Sequence, residues 1–212
     1  MQLYTYYRST SSYRLRIALA LKGVDYQAIA VNLHPDCAEQ QQPAFLAINP
    51  EGRVPALRLD EGDLLIQSPA IIEYLEERYP QPPLLAAEPI QRARERGIAA
   101  LIACDIQPLH NIGVLSHLRR LGHDEDVIAQ WIGHWISQGL KAVEQLIGDH
   151  GWCLGDGPGL ADVFLVPQLY AAQRFGVALD QFPRIARVAA LAAQDPAFLA
   201  AHPNCQPDTP KS

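Results

Sequence analysis

The fold is decided by the first 23 residues, MQLYTYYRSTSSYRLRIALALKG. Residues 2–6 are short, aromatic and β-branched, a pattern that predicts a β-strand. Residues 12–22 carry apolar side chains at helical spacing, and Gly23 is expected to end that helix. The turn at residues 8–12, RSTSS, therefore joins the end of a strand to the start of a helix, and four of its five side chains carry hydroxyl groups.

The alternation of strands and helices continues to residue 80. We predict a strand at residues 26–31, a short helix or irregular segment at 38–46, a hairpin of strands at 55–59 and 64–67, and a helix from Ser68. Ser68 is expected to be the N-cap of that helix, with Pro69 at its first position and Pro80 ending it. The order β-α-β-α-β-β-α, with Val54-Pro55 before the third strand, resembles the thioredoxin fold.

The pattern changes beyond residue 80. Residues 80–89 contain four prolines, which indicate a stiff linker. After the linker, apolar residues at helical spacing predict only helices, at residues 90–121, 124–147, 160–175, 184–193 and 197–201. We therefore expect an α/β thioredoxin-like N-terminal domain at residues 1–80, a linker at 81–89, and an all-α C-terminal helical domain at 90–212.

The composition argues against several classes of partner. The 212-residue chain has a formal net charge of -6 and no basic block, so nucleic acid and anionic membranes are poor partners. No run of 18 or more apolar residues and no signal-peptide pattern occurs, so we expect no membrane span and a cytoplasmic location. The four cysteines are far apart and lack metal-ligand spacing, so we expect neither a disulfide framework nor a metal site.

The turn at residues 8–12 lies where α/β folds bind ligands, at a strand end and a helix start. Unpaired backbone N–H groups and a partial positive charge favour an anion there, including a thiolate. Redox proteins of the thioredoxin fold carry a cysteine pair at this turn, whereas this chain has S-T-S-S and no sulfur. A thiol that reacts here must come from a separate molecule, and glutathione is the obvious one. Simple capping of the helix by Ser11 or Ser12 is the alternative.

Two further residue pairs stand where a peptide ligand could bind. A cis Val54-Pro55 bond would offer the Val54 backbone to an extended peptide, although the commoner trans bond is expected from sequence alone. Gln67-Ser68, at a strand end and a helix start, offers N–H groups and a hydroxyl to a carboxylate. N-capping by Ser68 explains the same residues, and both roles can hold together.

Several longer segments match a known pattern. They are STSSYRLRIAL at residues 9–19, NP at 49–50, VPAL at 54–57, QSPAIIEYLE at 67–76, DIQPLHN at 105–111, GD at 155–156, AD at 161–162, LVPQ at 165–168, RF at 174–175, and HP and QPDTP in the tail at 202–210. The first is similar to the signature S-S-C-x-W-R-V-R-I-A-L, and DIQPLHN is similar to G-I-Q-P-L-Q-N. Across essentially its whole length the chain resembles the zeta class of glutathione transferases, of the maleylacetoacetate isomerase and maleylpyruvate isomerase type.

The resemblance implies roles for the matching residues. Ser9 is expected to activate the glutathione sulfur, and it forms the catalytic set with Arg8, Thr10 and Ser11. Arg8 and Arg174 are expected to bind the carboxylates of the substrate. The residues expected to hold glutathione are Ser9, Gln40, Val54, Gln67, Ser68, Gln107 and Asn111, the last two from the helical domain.

The resemblance also implies an activity. It is the glutathione-dependent cis–trans isomerisation of maleylacetoacetate to fumarylacetoacetate in tyrosine and phenylalanine catabolism, carried out by a homodimer. Maleylpyruvate isomerisation needs the same site and is the nearest alternative. Conjugation of 2-halo acids to glutathione is a second alternative, and a non-catalytic binding module on the same scaffold is a third.

The chain departs from the family pattern at three positions. Ser11 stands where the family has cysteine, Tyr13 where it has tryptophan, and Gly159 where it has a Ser or Thr N-cap. Because glutathione would supply the sulfur, Ser11 is compatible with isomerase activity. We expect Asp162 to serve the local helix cap rather than chemistry, and we assign no acid–base role to His110.

Overall fold

The computed structural model describes residues 1–210 and divides into two compact units. The first unit contains Met1–Pro82 together with the chain from Gln194 onward, and the second is Pro83–Ala193. The division by contacts therefore differs from the division by sequence pattern, which assigned everything after residue 90 to the helical domain. The reason lies in the packing of the C-terminal tail, described below.

A four-stranded sheet forms the centre of the first unit. Its strands are β1 (Gln2–Thr5), β2 (Gln27–Ala30), β3 (Ala56–Arg58) and β4 (Leu64–Ile66), in the spatial order β2-β1-β3-β4. β1 runs parallel to β2 and antiparallel to β3, and β3 forms the predicted hairpin with β4. A parallel pair needs a crossover connection, and the helix that follows β1 supplies it. The sheet confirms the predicted thioredoxin-like order.

Three helices accompany the sheet: α1 (Thr10–Leu21), α2 (Pro43–Leu46) and α3 (Ser68–Arg78), with a short 3-10 helix at Glu39–Gln41 before α2. α1 and α3 pack against each other. Leu3 and Leu57 from the sheet and Leu15 and Leu75 from the helices are completely buried. Burial of such side chains stabilises the unit by about 1.5–3 kcal/mol each, and it fixes where the first turn of each helix lies.

The helix starts in this unit differ from the predicted ones. α1 begins at Thr10 and its N-cap is Ser9, which has an extended backbone (φ -70°, ψ 121°), so the predicted start at Ser12 is wrong. α3 begins at Ser68 with Gln67 as its N-cap, so the predicted cap at Ser68 is wrong as well. Hydroxyl-rich stretches offer several equivalent capping groups, and the backbone dihedral angles decide which one caps the helix.

The second unit consists of helices. They are α4 (Pro89–Ala100), α5 (Ile112–Arg120), α6 (Glu125–Leu146), α7 (Leu160–Arg174) and α8 (Pro183–Ala192). The longest, α6, buries one residue in each turn, at Ile128, Ile132, Ile136, Leu140 and Val143. This stripe at helical spacing is what the sequence pattern predicted.

The predicted helix at residues 90–121 is wrong as one continuous α-helix. After α4 the backbone forms a π-helix at Leu101–Ile106 and a 3-10 helix at Gln107–His110, and α5 then starts anew with Asn111 as its N-cap. Pro108 explains the break, because it lacks an N–H and its ring would clash with the carbonyl four residues earlier. Such π segments are frequent at functional sites.

The stretch Pro89–Arg120 is long and apolar enough to cross a membrane by length and composition alone. Buried helices of other proteins pass the same test, so this is weak evidence for a span. The stretch is also divided into α4, the π segment, the 3-10 segment and α5 rather than forming one regular helix.

The C-terminal tail packs on the first unit through α9 (Pro196–Ala201), which contacts α1. Arg16 on α1 is 1% exposed, and its Nε donates to the carbonyl oxygen of Ala201 at 3.0 Å. The same guanidinium donates to the carbonyl oxygen of Tyr7 at 2.9 Å and to Thr5 Oγ1 at 3.2 Å. A buried arginine needs such acceptors, and here they come from the strand end and from the tail.

Candidate active site

The first turn of α1 is arranged to hold an anion. The Oγ of Ser9 accepts a hydrogen bond from the backbone N–H of Ser12 at 3.2 Å, and the first turn contains no acidic residue. The partial positive charge at this helix start is therefore not neutralised by a local carboxylate. The buried Oγ of Ser12 has no hydrogen-bond partner within residues 1–210.

A cavity of about 370 Å³ lies next to this turn, within the first unit. Its lining includes Tyr7, Arg8, Asn32, His34 and Asp208. The volume is in the range of small-molecule sites. The guanidinium of the exposed Arg8 lies 5.9 Å from the centre of the Tyr7 ring. Space for a ligand therefore exists beside Arg8, whereas Ser9, Gln40, Val54, Gln67 and Ser68 are not among the lining residues.

Asp208 is a residue of this cavity that the sequence interpretation did not single out. Its Oδ2 accepts a hydrogen bond from the backbone N–H of Tyr7 at 2.8 Å, and this contact fixes the strand end just before Arg8. The pKa of the neighbouring Tyr6 is raised mainly by burial, while Arg8 opposes the rise and Tyr7 and Asp208 add to it. The resemblance of the tail to the zeta pattern was the only signal in the sequence for Asp208.

The Val54-Pro55 bond is cis, so the trans bond expected from sequence is wrong. Val54 is 8% exposed and belongs to a small apolar cluster with Tyr6, Val31 and Phe45. This cluster connects the residue before Pro55 to the end of β1 and the start of the loop after β2.

At the start of α3, Gln67 bonds to an acidic side chain and Ser68 to a buried arginine. Gln67 has a left-handed backbone (φ 67°), and its Nε2 donates to Glu51 Oε2 at 2.6 Å. Ser68 is 3% exposed, and its Oγ accepts a hydrogen bond from Arg14 Nη1 at 3.3 Å. Arg14 itself is 1% exposed and was not singled out from the sequence, because a helical pattern does not indicate which polar residue points inward.

Gln40 lies in the 3-10 helix before α2 and is 8% exposed. Its buried Oε1 has no hydrogen-bond partner in the part of the chain that the structure describes. Buried polar atoms in native proteins are nearly always paired, so the oxygen of Gln40 is a group that a polar ligand such as glutathione can satisfy. Ser12 is completely buried, so its oxygen carries no such argument.

The remaining predicted site residues belong to the helical unit. Gln107 opens the 3-10 segment, and Asn111 caps α5 by accepting a hydrogen bond from the Ile112 N–H at 2.7 Å. Arg174 is the last residue of α7, with its guanidinium 4.5 Å from the centre of the Phe175 ring. A cation at this position complements the helix dipole. The meeting of these residues with those of the first unit stays a prediction.

The buried carboxylate of Asp162 serves local structure, as predicted. Its Oδ2 accepts the N–H of Gly159 and its Oδ1 accepts the N–H of Cys153, each at 2.9 Å. Burial raises the pKa of Asp162, and hydrogen bonds from Cys153 and Gly159 oppose that rise. Burial likewise raises the pKa of the Cys153 thiol, which keeps it protonated and unreactive.

The cysteines and metal-binding side chains add no second candidate. Cys37, Cys104 and Cys205 are exposed free thiols, and Cys153 is a buried one. Within residues 1–210, no group of three or more His, Cys, Asp or Glu side chains is placed to hold a metal ion.

Comparisons with known proteins agree with this geometry. The model of the glutathione S-transferase N-terminal domain matches residues 3–83, and that of the C-terminal domain matches residues 125–206. Maleylacetoacetate isomerase of Pseudomonas aeruginosa is 73% identical over 99% of this chain and 99% of its own. Maleylpyruvate isomerase of a Ralstonia species is 48% identical over 99% of this chain and 100% of its own.

Solved structures point the same way. The holo structure of a maleylpyruvate isomerase, a bacterial glutathione transferase in the zeta class, has a TM-score of 0.95 at 47% identity and covers 99% of this chain and 100% of its own. Maleylacetoacetate isomerase of Anaeromyxobacter dehalogenans, with dicarboxyethyl glutathione and citrate in its active site, has a TM-score of 0.88 at 41% identity and covers 99% and 93%. The chain therefore belongs to the glutathione transferase family, in its zeta class.

Proposed function

We propose that this chain is a glutathione-dependent cis–trans isomerase that converts maleylacetoacetate to fumarylacetoacetate in tyrosine and phenylalanine catabolism. The observation that carries the proposal is the start of α1, where Ser9 and its neighbours form a polarised helix end without a thiol of their own. The full-length identity of 73% to a maleylacetoacetate isomerase supports this substrate over the alternatives.

The chemistry requires a visiting nucleophile. When bound, glutathione supplies a thiolate that adds reversibly to the conjugated double bond, which becomes single, rotates and is restored as the thiolate leaves. Ser9 donates its hydroxyl proton toward the sulfur, and the start of α1 lowers the free energy of a negative charge there. Thr10 and Ser11 assist at the same helix end.

The other residues bind and orient. Gln40, Val54, Gln67 and Ser68 hold the tripeptide, and the zeta-class resemblance assigns Gln107 and Asn111 to the same ligand. Arg8 and Arg174 bind the two carboxylates of the substrate, for which a planar guanidinium with paired donors is well suited. Fixed donors of this kind also stabilise the charge that develops on the substrate carbonyl.

The activity is tested by following the ultraviolet absorbance of maleylacetoacetate with and without glutathione. We expect isomerisation only with glutathione present, with no net consumption of thiol. Maleylpyruvate is run beside it, and a higher kcat/KM for maleylpyruvate would reassign the substrate. Release of halide from a 2-halo acid would indicate a conjugating transferase, and the absence of both reactions a binding module.

The carboxylate role of Arg174 is tested by Arg174→Ala. Loss of a charge-assisted contact is expected to raise the substrate KM about 10-fold or more, with a smaller change in kcat. Arg120→Ala, at an exposed position of α5, is the matched control and should leave both constants unchanged. An unchanged KM in Arg174→Ala would remove this residue from the site.

The proposal extends to assembly and location. Zeta-class resemblance supports a homodimer, for which light scattering should give about twice the chain mass of 23.4 kDa. The acidic net charge of -6 supports small molecules rather than nucleic acid or membranes as partners, and a cytoplasmic location is part of the same proposal.

A further inference from the structure

Arg14 is a buried cation that reaches from α1 to the first residue of α3. It is 1% exposed, and its Nη1 donates to the Oγ of Ser68 at 3.3 Å. Arg16, two residues further along α1, is equally buried, but its donors go to the Ala201 and Tyr7 carbonyls and to Thr5 Oγ1. Arg16 therefore connects structural elements, whereas Arg14 contacts a residue of the candidate site.

The chemistry of the two groups determines the direction of this hydrogen bond. A guanidinium has five N–H donors and no acceptor, so Ser68 Oγ must be the acceptor. The hydroxyl still has one proton to donate, and it donates no hydrogen bond within residues 1–210. Ser68 is 3% exposed, and a buried donor without an acceptor is unfavourable. An acceptor from a ligand removes that cost.

The surroundings specify the charge of that acceptor. The first turn of α3 contains no acidic residue, so its partial positive charge also favours an anion. The neighbouring Gln67 donates its Nε2 to Glu51 Oε2 at 2.6 Å and forms no hydrogen bond with the Ser68 hydroxyl. A carboxylate, which only accepts hydrogen bonds, matches this set of donors.

We propose that Arg14 is a positioning residue that makes Ser68 a hydrogen-bond donor to the α-carboxylate of the γ-glutamyl group of glutathione. The inference rests on the proposed function, because it takes Ser68 as part of the glutathione site. It adds that Arg14 acts without touching the ligand. Because Arg14 donates to the Ser68 oxygen, the Ser68 hydroxyl is left to act as a donor, and this favours a carboxylate at this point.

The experiment is titration calorimetry with two probes. One is glutathione, and the other is γ-aminobutyryl-cysteinyl-glycine, which differs only by lacking the α-carboxylate. The proteins are the unaltered chain, Arg14→Met, Ser68→Ala and the double variant. We expect each single variant to weaken glutathione binding about 10-fold and to change binding of the analogue less than twofold. The double variant should bind glutathione about as well as either single one, because both remove the same interaction.

Folding is monitored by the melting temperature of every variant. Arg14→Lys keeps the charge but not the fork of donors, and it is used if Arg14→Met unfolds. Ser68→Ala tests the carboxylate preference without changing the buried cation. Equal losses for both probes would assign Arg14 a purely structural role, and additive losses would mean that it does not act through Ser68. Either result overturns the inference.

The same titration separates this inference from the proposed function. If the unaltered chain binds glutathione and the analogue equally well, Ser68 does not read a carboxylate, and the inference fails while the isomerase proposal stands. If it binds neither probe, the proposed function fails first.

Discussion

The starts of two helices in this molecule, α1 and α7, are used in opposite ways. At the start of α7, Asp162 lies in the first turn, and its two carboxylate oxygens accept the N–H groups of Gly159 and Cys153. At the start of α1, Ser9 contributes one hydroxyl, and no acidic residue is present in the first turn. The same helix-end dipole is neutralised from within at one site and left for a ligand at the other.

The difference shows how a structural cap and a ligand site can be told apart. A capping carboxylate accepts hydrogen bonds from the N–H groups at the helix start and neutralises its partial positive charge. No attraction for an anionic ligand is left, which fits a role in stability alone. Serine satisfies one N–H without adding charge, so the end keeps its attraction for an anion. Within residues 1–210, the unpartnered buried oxygens of Ser12 and Gln40 lie in the unit that contains the α1 start, and the helical unit has an unpartnered buried nitrogen, Gln168 Nε2.

The largest expected effect is on stability, from Asp162→Ala. The change leaves the N–H groups of Gly159 and Cys153 buried without an acceptor, at about 4 kcal/mol of unfolding free energy in total. For a chain of this size the melting temperature should fall by about 10 °C. Calorimetry measures this, with Asp156→Ala at an exposed position as the control. A melting temperature within a degree of the unaltered chain would disprove the structural role.

The next effect is on turnover, from Ser9→Ala. Removal of a donor aimed at a developing or resident charge typically costs about 100-fold in kcat, while loss of the cap costs about 1 kcal/mol of stability. Asp124→Ala is the matched control, since Asp124 caps α6 by accepting the Val127 N–H at 2.9 Å. Both variants should lose similar stability, and only Ser9→Ala should lose turnover. Equal turnover in the two would reduce Ser9 to a cap.

The smallest effect is expected from placing an acidic residue in the first turn of α1, as Asp162 is in the first turn of α7. Ser11→Asp places a carboxylate in the first turn of α1, where it should stabilise the helix by about 0.3–1 kcal/mol. Its charge should also oppose a thiolate, raising the pKa of the bound glutathione thiol by about one unit and lowering turnover about 10-fold at neutral pH. Thiolate absorbance against pH measures the shift. Ser11→Asn, of similar shape without charge, removes the same hydroxyl but should leave the pKa of the bound thiol unchanged, so it separates the effect of the charge from that of the lost hydroxyl.

Particular residues show which features of the fold could be predicted from the sequence. The order of strands and helices and the turn at residues 8–12 followed from patterns of two and 3.6 residues, which depend on neighbours in the chain. The N-caps at Ser9 and Gln67 did not follow, because adjacent polar residues offer the same capping groups. Pro108 is visible in the sequence, yet the apolar pattern around it predicted a continuous helix. Periodicity alone does not account for the clash between the proline ring and the backbone.

The sequence by itself determined the α/β-then-helical organisation, the absence of a cysteine at the start of α1 and the resemblance to the zeta class, since all three depend on local order and residue type. Tertiary structure alone decided that the tail after Gln194 joins the first unit, that Asp208 holds the Tyr7 N–H, and that Arg14 reaches Ser68. These contacts join residues 54 and 201 positions apart. A hydrogen bond across such a separation is set by the packing of whole elements, and no periodicity along the chain encodes it.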